Sequence, residues 1–83
     1  MSQNKRAIVY VKLKDGVLDP QGVTIQKALN QMGYHDFVSV RSGKFFELEI
    51  QPGADGVDRQ IQEVCSKLLA NPVIEKFEIE HIS

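Results

Sequence analysis

The chain has 83 residues, with 10 Lys+Arg against 11 Asp+Glu and a single cysteine. A chain this short is one domain, residues 1–83, with a thin core, because it hides only about 60–65% of the surface its unfolded form exposes. One cysteine excludes an internal disulfide, two scattered histidines exclude the common zinc spacings, and a net charge of -1 leaves no basic footprint for nucleic acid.

No apolar run reaches the ~20 residues that a membrane span requires. Residues 1–6, Met1-Ser2-Gln3-Asn4-Lys5-Arg6, form a polar N-terminal extension with no apolar signal segment behind it. The expected location is the cytoplasm, where a free thiol is ordinary.

Residues 7–13 are rich in β-branched side chains and predict a strand. Val9, Val11 and Leu13 fall on one face, and Ile8, Tyr10 and Lys12 on the other. Both faces are mostly apolar, as in a central strand. A loop follows, and then Asp19-Pro20 starts a helix, since Asp caps free N–H groups and Pro suits the first helical position. Ile25, Ala28, Leu29 and Met32 form one helical stripe, and Gly33 closes the helix as a C′ glycine. Gly22 costs the first turn about 1 kcal/mol relative to Ala. Its retention predicts a close backbone contact, either with a partner or within the chain.

Residues 37–41 and 44–50 predict two strands joined at Ser42-Gly43, a two-residue hairpin signal. Phe46, Leu48 and Ile50 share one face of the second arm, and Phe45, Glu47 and Glu49 the other. After the turn-rich residues 51–56, Val57, Ile61, Val64, Cys65, Leu68 and Leu69 recur at helical spacing until Asn71-Pro72 stops them. Residues 73–82 predict a last strand with Phe77 and Ile79 inward and Glu78 and Glu80 outward.

The predicted order is therefore βαββαβ. Its simplest packing is an α+β, ferredoxin-like plait: a four-stranded antiparallel sheet with two helices on one face. Ile8, Tyr10 and Phe45 on the second face predict a dimer contact with another copy of the chain.

No residue set specifies catalysis. Cys65 lies on an apolar helical stripe with no histidine near it in sequence, so it is expected to be a small buried hydrophobe. His35 and His81 have no ligand-spaced companion. Glu47, Glu49, Glu78 and Glu80 could bind a metal or act in acid–base chemistry, but a solvated or interfacial sheet face accounts for them without a cleft. Lys12, Lys14, Arg41 and Lys44 gather at strand ends, where they could meet a phosphate or an acidic partner surface. No GxGxxG or Walker motif is present. Other users of this fold lack their marks here: Glu47 and Glu49 oppose an RNA-recognition face, and no CxxC or glycine-rich anion loop follows the first strand. The expected catalytic, cofactor-binding and metal residues in this chain are therefore none.

Three stretches are more specific than the fold: Val11-Lys12-Leu13-Lys14 with Val17-Leu18-Asp19-Pro20-Gln21-Gly22, then Val40-Arg41-Ser42-Gly43-Lys44-Phe45-Phe46-Glu47-Leu48, then Lys67-Leu68-Leu69-Ala70-Asn71-Pro72-Val73-Ile74-Glu75. Together they resemble the PurS family, the small subunit of bacterial formylglycinamide ribonucleotide amidotransferase (phosphoribosylformylglycinamidine synthase). The resemblance runs from about Ala7 to Glu80. It implies a non-catalytic homodimer, or a higher assembly, that bridges a glutaminase subunit and a large synthetase subunit. The glutaminase releases ammonia from glutamine. The synthetase, which holds ATP and Mg, uses the ammonia to make formylglycinamidine ribonucleotide for purines. The expected partner contacts are Lys12, Lys14, Asp19, Pro20, Gln21, Gly22, Arg41 and Lys44. The competing expectations are a free-standing metabolite-binding regulatory module of similar fold and a single-stranded RNA binder.

Overall fold

The computed structural model describes residues 4–82. Strand β1 spans Lys5–Leu13, helix α1 Pro20–Gln31, strand β2 Gly43–Ile50, helix α2 Val57–Val64 and strand β3 Glu75–Ile82. A single π-helical turn, Cys65–Leu69, continues α2. The sheet is antiparallel in the order β2-β1-β3.

The alternation in β1 sets the layers. Ala7, Val9 and Val11 are buried, and the register places Val9 between Phe46 and Ile79. This face meets Ile61, Cys65 and Ala70, with Leu48, Ile50, Val57, Leu69 and Phe77 packed around them. The π turn leaves Cys65 and Ala70 buried but Leu68 79% exposed. Leu68, expected on the inward stripe, is turned out because that turn advances the helix by more than an α turn. The other sheet face carries Arg6, Ile8, Tyr10 and Lys12 flanked by Glu47, Glu49, Glu78 and Glu80. There the Tyr10 hydroxyl donates to Glu80 at 3.0 Å, and its ring lies 6.3 Å from that of Phe45.

Several expectations hold. Asp19 caps α1, Pro20 opens it, and Gly33 follows it at φ +95, the left-handed conformation that glycine adopts freely. The polar extension is shorter than expected, since Lys5 and Arg6 belong to β1, while residues 1–3 lie outside the described residues.

The expected four-stranded sheet with two helices upon it is corrected to a three-stranded sheet carrying α2 alone. Residues 37–41 form no strand. They are held against α1 instead. The Gln26 side chain donates to the Phe37 carbonyl at 3.1 Å, and the Val40 carbonyl lies where a Cβ on Gly22 would come within 2.2 Å of it. The outer edge of β2, where the hairpin partner was expected, has no strand on it among the described residues. Helix α1 stands away from the sheet, and its stripe is open, with Ile25 40% and Met32 69% exposed. The radius of gyration is accordingly 16.7 Å, against about 12 Å for a compact domain of this length.

Candidate functional site

The three sequence stretches singled out above meet at one corner of the molecule. Asp19 is its centre and is buried. Its carboxylate accepts from the Gly22 N–H at 3.1 Å and the Ser42 N–H at 2.6 Å. The Ser42 hydroxyl donates to both carboxylate oxygens, at 2.8 and 3.0 Å. These bonds, led by the Ser42 amide and then the Gly22 amide, hold the Asp19 carboxyl below its ordinary 3.8, against the opposing effect of burial.

The neighbouring charges also turn inward. The Arg41 guanidinium donates to the carbonyls of Val17, Lys14 and Leu13 at 3.1, 3.2 and 3.3 Å. The Lys14 ammonium donates to the Pro72 carbonyl at 2.7 Å, and the Lys14 amide to the Ile74 carbonyl at 2.8 Å. Lys76 and Asp15 form an exposed pair at 3.8 Å across the same loop. The 13–17 loop is thus tied to the segment before β2 and to the segment before β3.

Of the expected contact residues, Lys14, Asp19, Gly22 and Arg41 are engaged within the chain, while Lys12, Pro20, Gln21 and Lys44 remain exposed. Lys12, Gln21 and Lys44 rim a shallow hollow of about 280 Å³ over Leu13 and Ser42. The Lys44 ammonium stands 5.7 Å from the Phe46 ring, a cation–π contact that holds it at the rim. The hollow is edged by Lys12 and Lys44 together with Glu75, and the one hydroxyl over it, Ser42, is held by the buried Asp19 carboxylate. Sequence reasoning missed Ser42, whose position before Gly43 reads as turn chemistry; nothing local signals that its partner lies across the chain.

The remaining candidates are separated. Cys65 is fully buried, and burial pushes its thiol up, away from the reactive thiolate. His35 bonds Asn30 on the surface, and His81 pairs with Asp58 at 3.1 Å, both exposed. Among the described residues no three His, Cys, Asp or Glu side chains group as metal ligands. Ile8, Tyr10 and Phe45 share the charged second sheet face.

Comparison with known proteins adds four findings. A family model described as PurS, phosphoribosylformylglycinamidine (FGAM) synthase, matches residues 6–83. The chain is 47% identical over 76 residues to the phosphoribosylformylglycinamidine synthase subunit PurS of Bacillus subtilis, covering 89% of this chain and 90% of that one. Its fold is similar to the crystal structure of Bacillus subtilis PurS, with a TM-score of 0.85, 44% identity and coverage of 95% and 99% of the two chains. It is also similar to a chain in the structure of PurLQS from Thermotoga maritima, with a TM-score of 0.84, 26% identity and coverage of 95% and 98%.

Proposed function

Because the chain belongs to the PurS family and is a subunit of phosphoribosylformylglycinamidine synthase, we infer that it works in that ligase by assembly alone, bridging the glutaminase and synthetase subunits without chemistry of its own. The observation that carries this reading is the end-to-end likeness to a chain of the PurLQS structure. Supporting it, the Lys14, Asp19 and Arg41 side chains of the corner are spent on the chain's own groups, which suits a rigid spacer more than a catalyst. The same likeness favours this reading over a free-standing metabolite-binding module.

On this reading glutamine is hydrolysed in the glutaminase, and the ammonia is consumed in the synthetase with ATP and Mg held there. Ammonia at neutral pH is mostly protonated and then no nucleophile. A fixed junction keeps it dry, and fixing the junction is an orientation effect. The corner built by Lys12, Lys14, Asp19, Pro20, Gln21, Gly22, Arg41 and Lys44 faces a partner subunit, with Lys12, Gln21 and Lys44 outermost. The chain self-associates, as its thin core favours. It acts in the cytoplasm; among the described residues no helix is long and apolar enough to cross a membrane.

The test is capture. A tagged chain should retain both the synthetase and the glutaminase from a mixture of purified subunits. Reversing the rim charges (Lys12→Glu with Lys44→Glu) should weaken capture by on the order of tenfold or more, the effect of losing charge-assisted contacts at a rim. Retention of neither subunit would overturn the bridging role.

A further inference from the structure

The tripeptide Asp-Gly-Val occurs twice, at Asp15-Gly16-Val17 and at Asp55-Gly56-Val57. Asp-Gly is prone to a reaction of its own, because glycine puts no Cβ in the way of its nitrogen. That nitrogen bonds to the carboxyl carbon of the aspartate side chain, one water leaves, and a cyclic succinimide forms. Water then opens the ring at either carbonyl. One opening restores aspartate. The other leaves isoaspartate, in which the main chain runs through the side chain with an added methylene and a free α-carboxylate. The water lost is regained, and no other reactant is consumed.

Both pairs are accessible to this chemistry. The two aspartates are exposed. Gly16 and Gly56 have φ of +86 and +66, with nothing within 4 Å of where a Cβ would stand. Neither glycine N–H donates a hydrogen bond among the described residues.

The pairs differ in what holds them. Ring closure requires the aspartate to turn about its Cα–C bond until the next nitrogen faces its own carboxyl carbon. That rotation swings the chain before the pair against the chain after it. Around Asp15-Gly16 the Arg41 guanidinium grips both sides: the Leu13 and Lys14 carbonyls before the pair, at 3.3 and 3.2 Å, and the Val17 carbonyl after it, at 3.1 Å. The Val17 N–H also donates to the Lys14 carbonyl at 3.1 Å, and the Lys14 N–H to the Ile74 carbonyl at 2.8 Å. The ion pair of Asp15 with Lys76 adds little, because both ends are exposed. Asp55-Gly56 has no such bracket. The Asp55 carbonyl accepts only from the exposed Gln60 side chain, at 3.2 Å, and the Ala54 N–H reaches the Gln51 carbonyl at 3.4 Å. This loop borders an open hollow of about 740 Å³.

We propose that Asp55-Gly56 is a site of spontaneous isoaspartate formation in the folded chain, and that Arg41 shields the chemically identical Asp15-Gly16. At Asp55 the added methylene lengthens the turn that seats Val57 against the core at the start of α2. The freed α-carboxylate is the acceptor chemistry of isoaspartate carboxyl methyltransferases, which take the methyl group from S-adenosylmethionine.

The full chain would be aged in warm neutral buffer, once folded and once in urea. Isoaspartate at each pair would be measured by peptide mapping with a protease that cleaves before aspartate and not before isoaspartate. In urea the two pairs, sharing one tripeptide, should react alike. In the folded chain Asp55 should stay within about threefold of its urea rate, as in a segment that opens at almost no cost, while Asp15 should slow by on the order of tenfold or more. Folded Asp55 as slow as Asp15, or folded Asp15 as fast as Asp55, would overturn the proposal from the wild-type chain alone. Arg41→Gln, with its fold checked by circular dichroism, should bring Asp15 to within about threefold of Asp55. A folded Arg41→Gln chain still slow at Asp15 would overturn the role given to Arg41.

Discussion

Asp19→Ala should lower the melting midpoint of the chain by about 5–10 °C, the effect of a lost helix cap in a domain of this size. Two donors besides the cap lose their acceptor at once: the Ser42 amide and the Ser42 hydroxyl. The amide is the more serious loss, because a part-buried N–H without a partner keeps much of its desolvation cost, while the hydroxyl can rotate toward solvent. The carboxylate also joins α1 to the segment before β2, so its removal frees the base of the α1 arm. A midpoint moved by less than about 2 °C would mean that water replaces the carboxylate and the clasp is dispensable. The pH dependence has a definite sign. The Asp19 carboxyl is held below 3.8 in the folded chain, so its contribution is fully present above the unfolded value. It is lost as pH falls from there through the lower folded value. Asp19→Asn, which keeps a capping oxygen but cannot titrate there, should flatten this acid limb of the stability curve.

Gly22→Ala should destabilise the chain by about 2 kcal/mol, within the usual range for overpacking. Two effects compete. Removing a helical glycine gains about 1 kcal/mol of propensity. Against that, the new Cβ would stand 2.2 Å from the Val40 carbonyl oxygen and 2.8 Å from a carboxylate oxygen of Asp19. The first obstacle is backbone and cannot rotate away, so the clash wins. Urea unfolding followed by circular dichroism measures the difference. A stabilised Gly22→Ala chain would mean that residues 37–42 move aside at little cost and are not seated as described.

Most of the sheet was legible because its signals are local. The alternation in residues 7–13, the inward Phe46, Leu48, Phe77 and Ile79, and the Asp19-Pro20 start of α1 all appear in the structure. The Gly22 reading was right in kind, since the glycine does permit a close backbone approach, and that backbone is the chain's own. Residues 37–41 misled for a reason local sequence does not carry. They have strand propensity, but the Asp19–Ser42 clasp and the Gln26–Phe37 bond commit them to α1. The α1 stripe was read correctly as a stripe and wrongly as resting on this sheet. Periodicity reports that a face needs cover, and it is silent on which molecule supplies it. Arg41 and Lys14 read as rim charges for a similar reason: their acceptors are main-chain carbonyls, which leave no mark in the sequence.

The bridging role turns on how ammonia reaches the synthetase, and one comparison isolates it. Turnover of the purified glutaminase and synthetase would be measured with glutamine, and again with an ammonium salt, each with and without this chain. If the chain fixes the junction, it raises glutamine-dependent turnover strongly. It changes ammonia-dependent turnover much less, because added ammonium bypasses delivery. Equal indifference of both activities to the chain would contradict a bridging subunit.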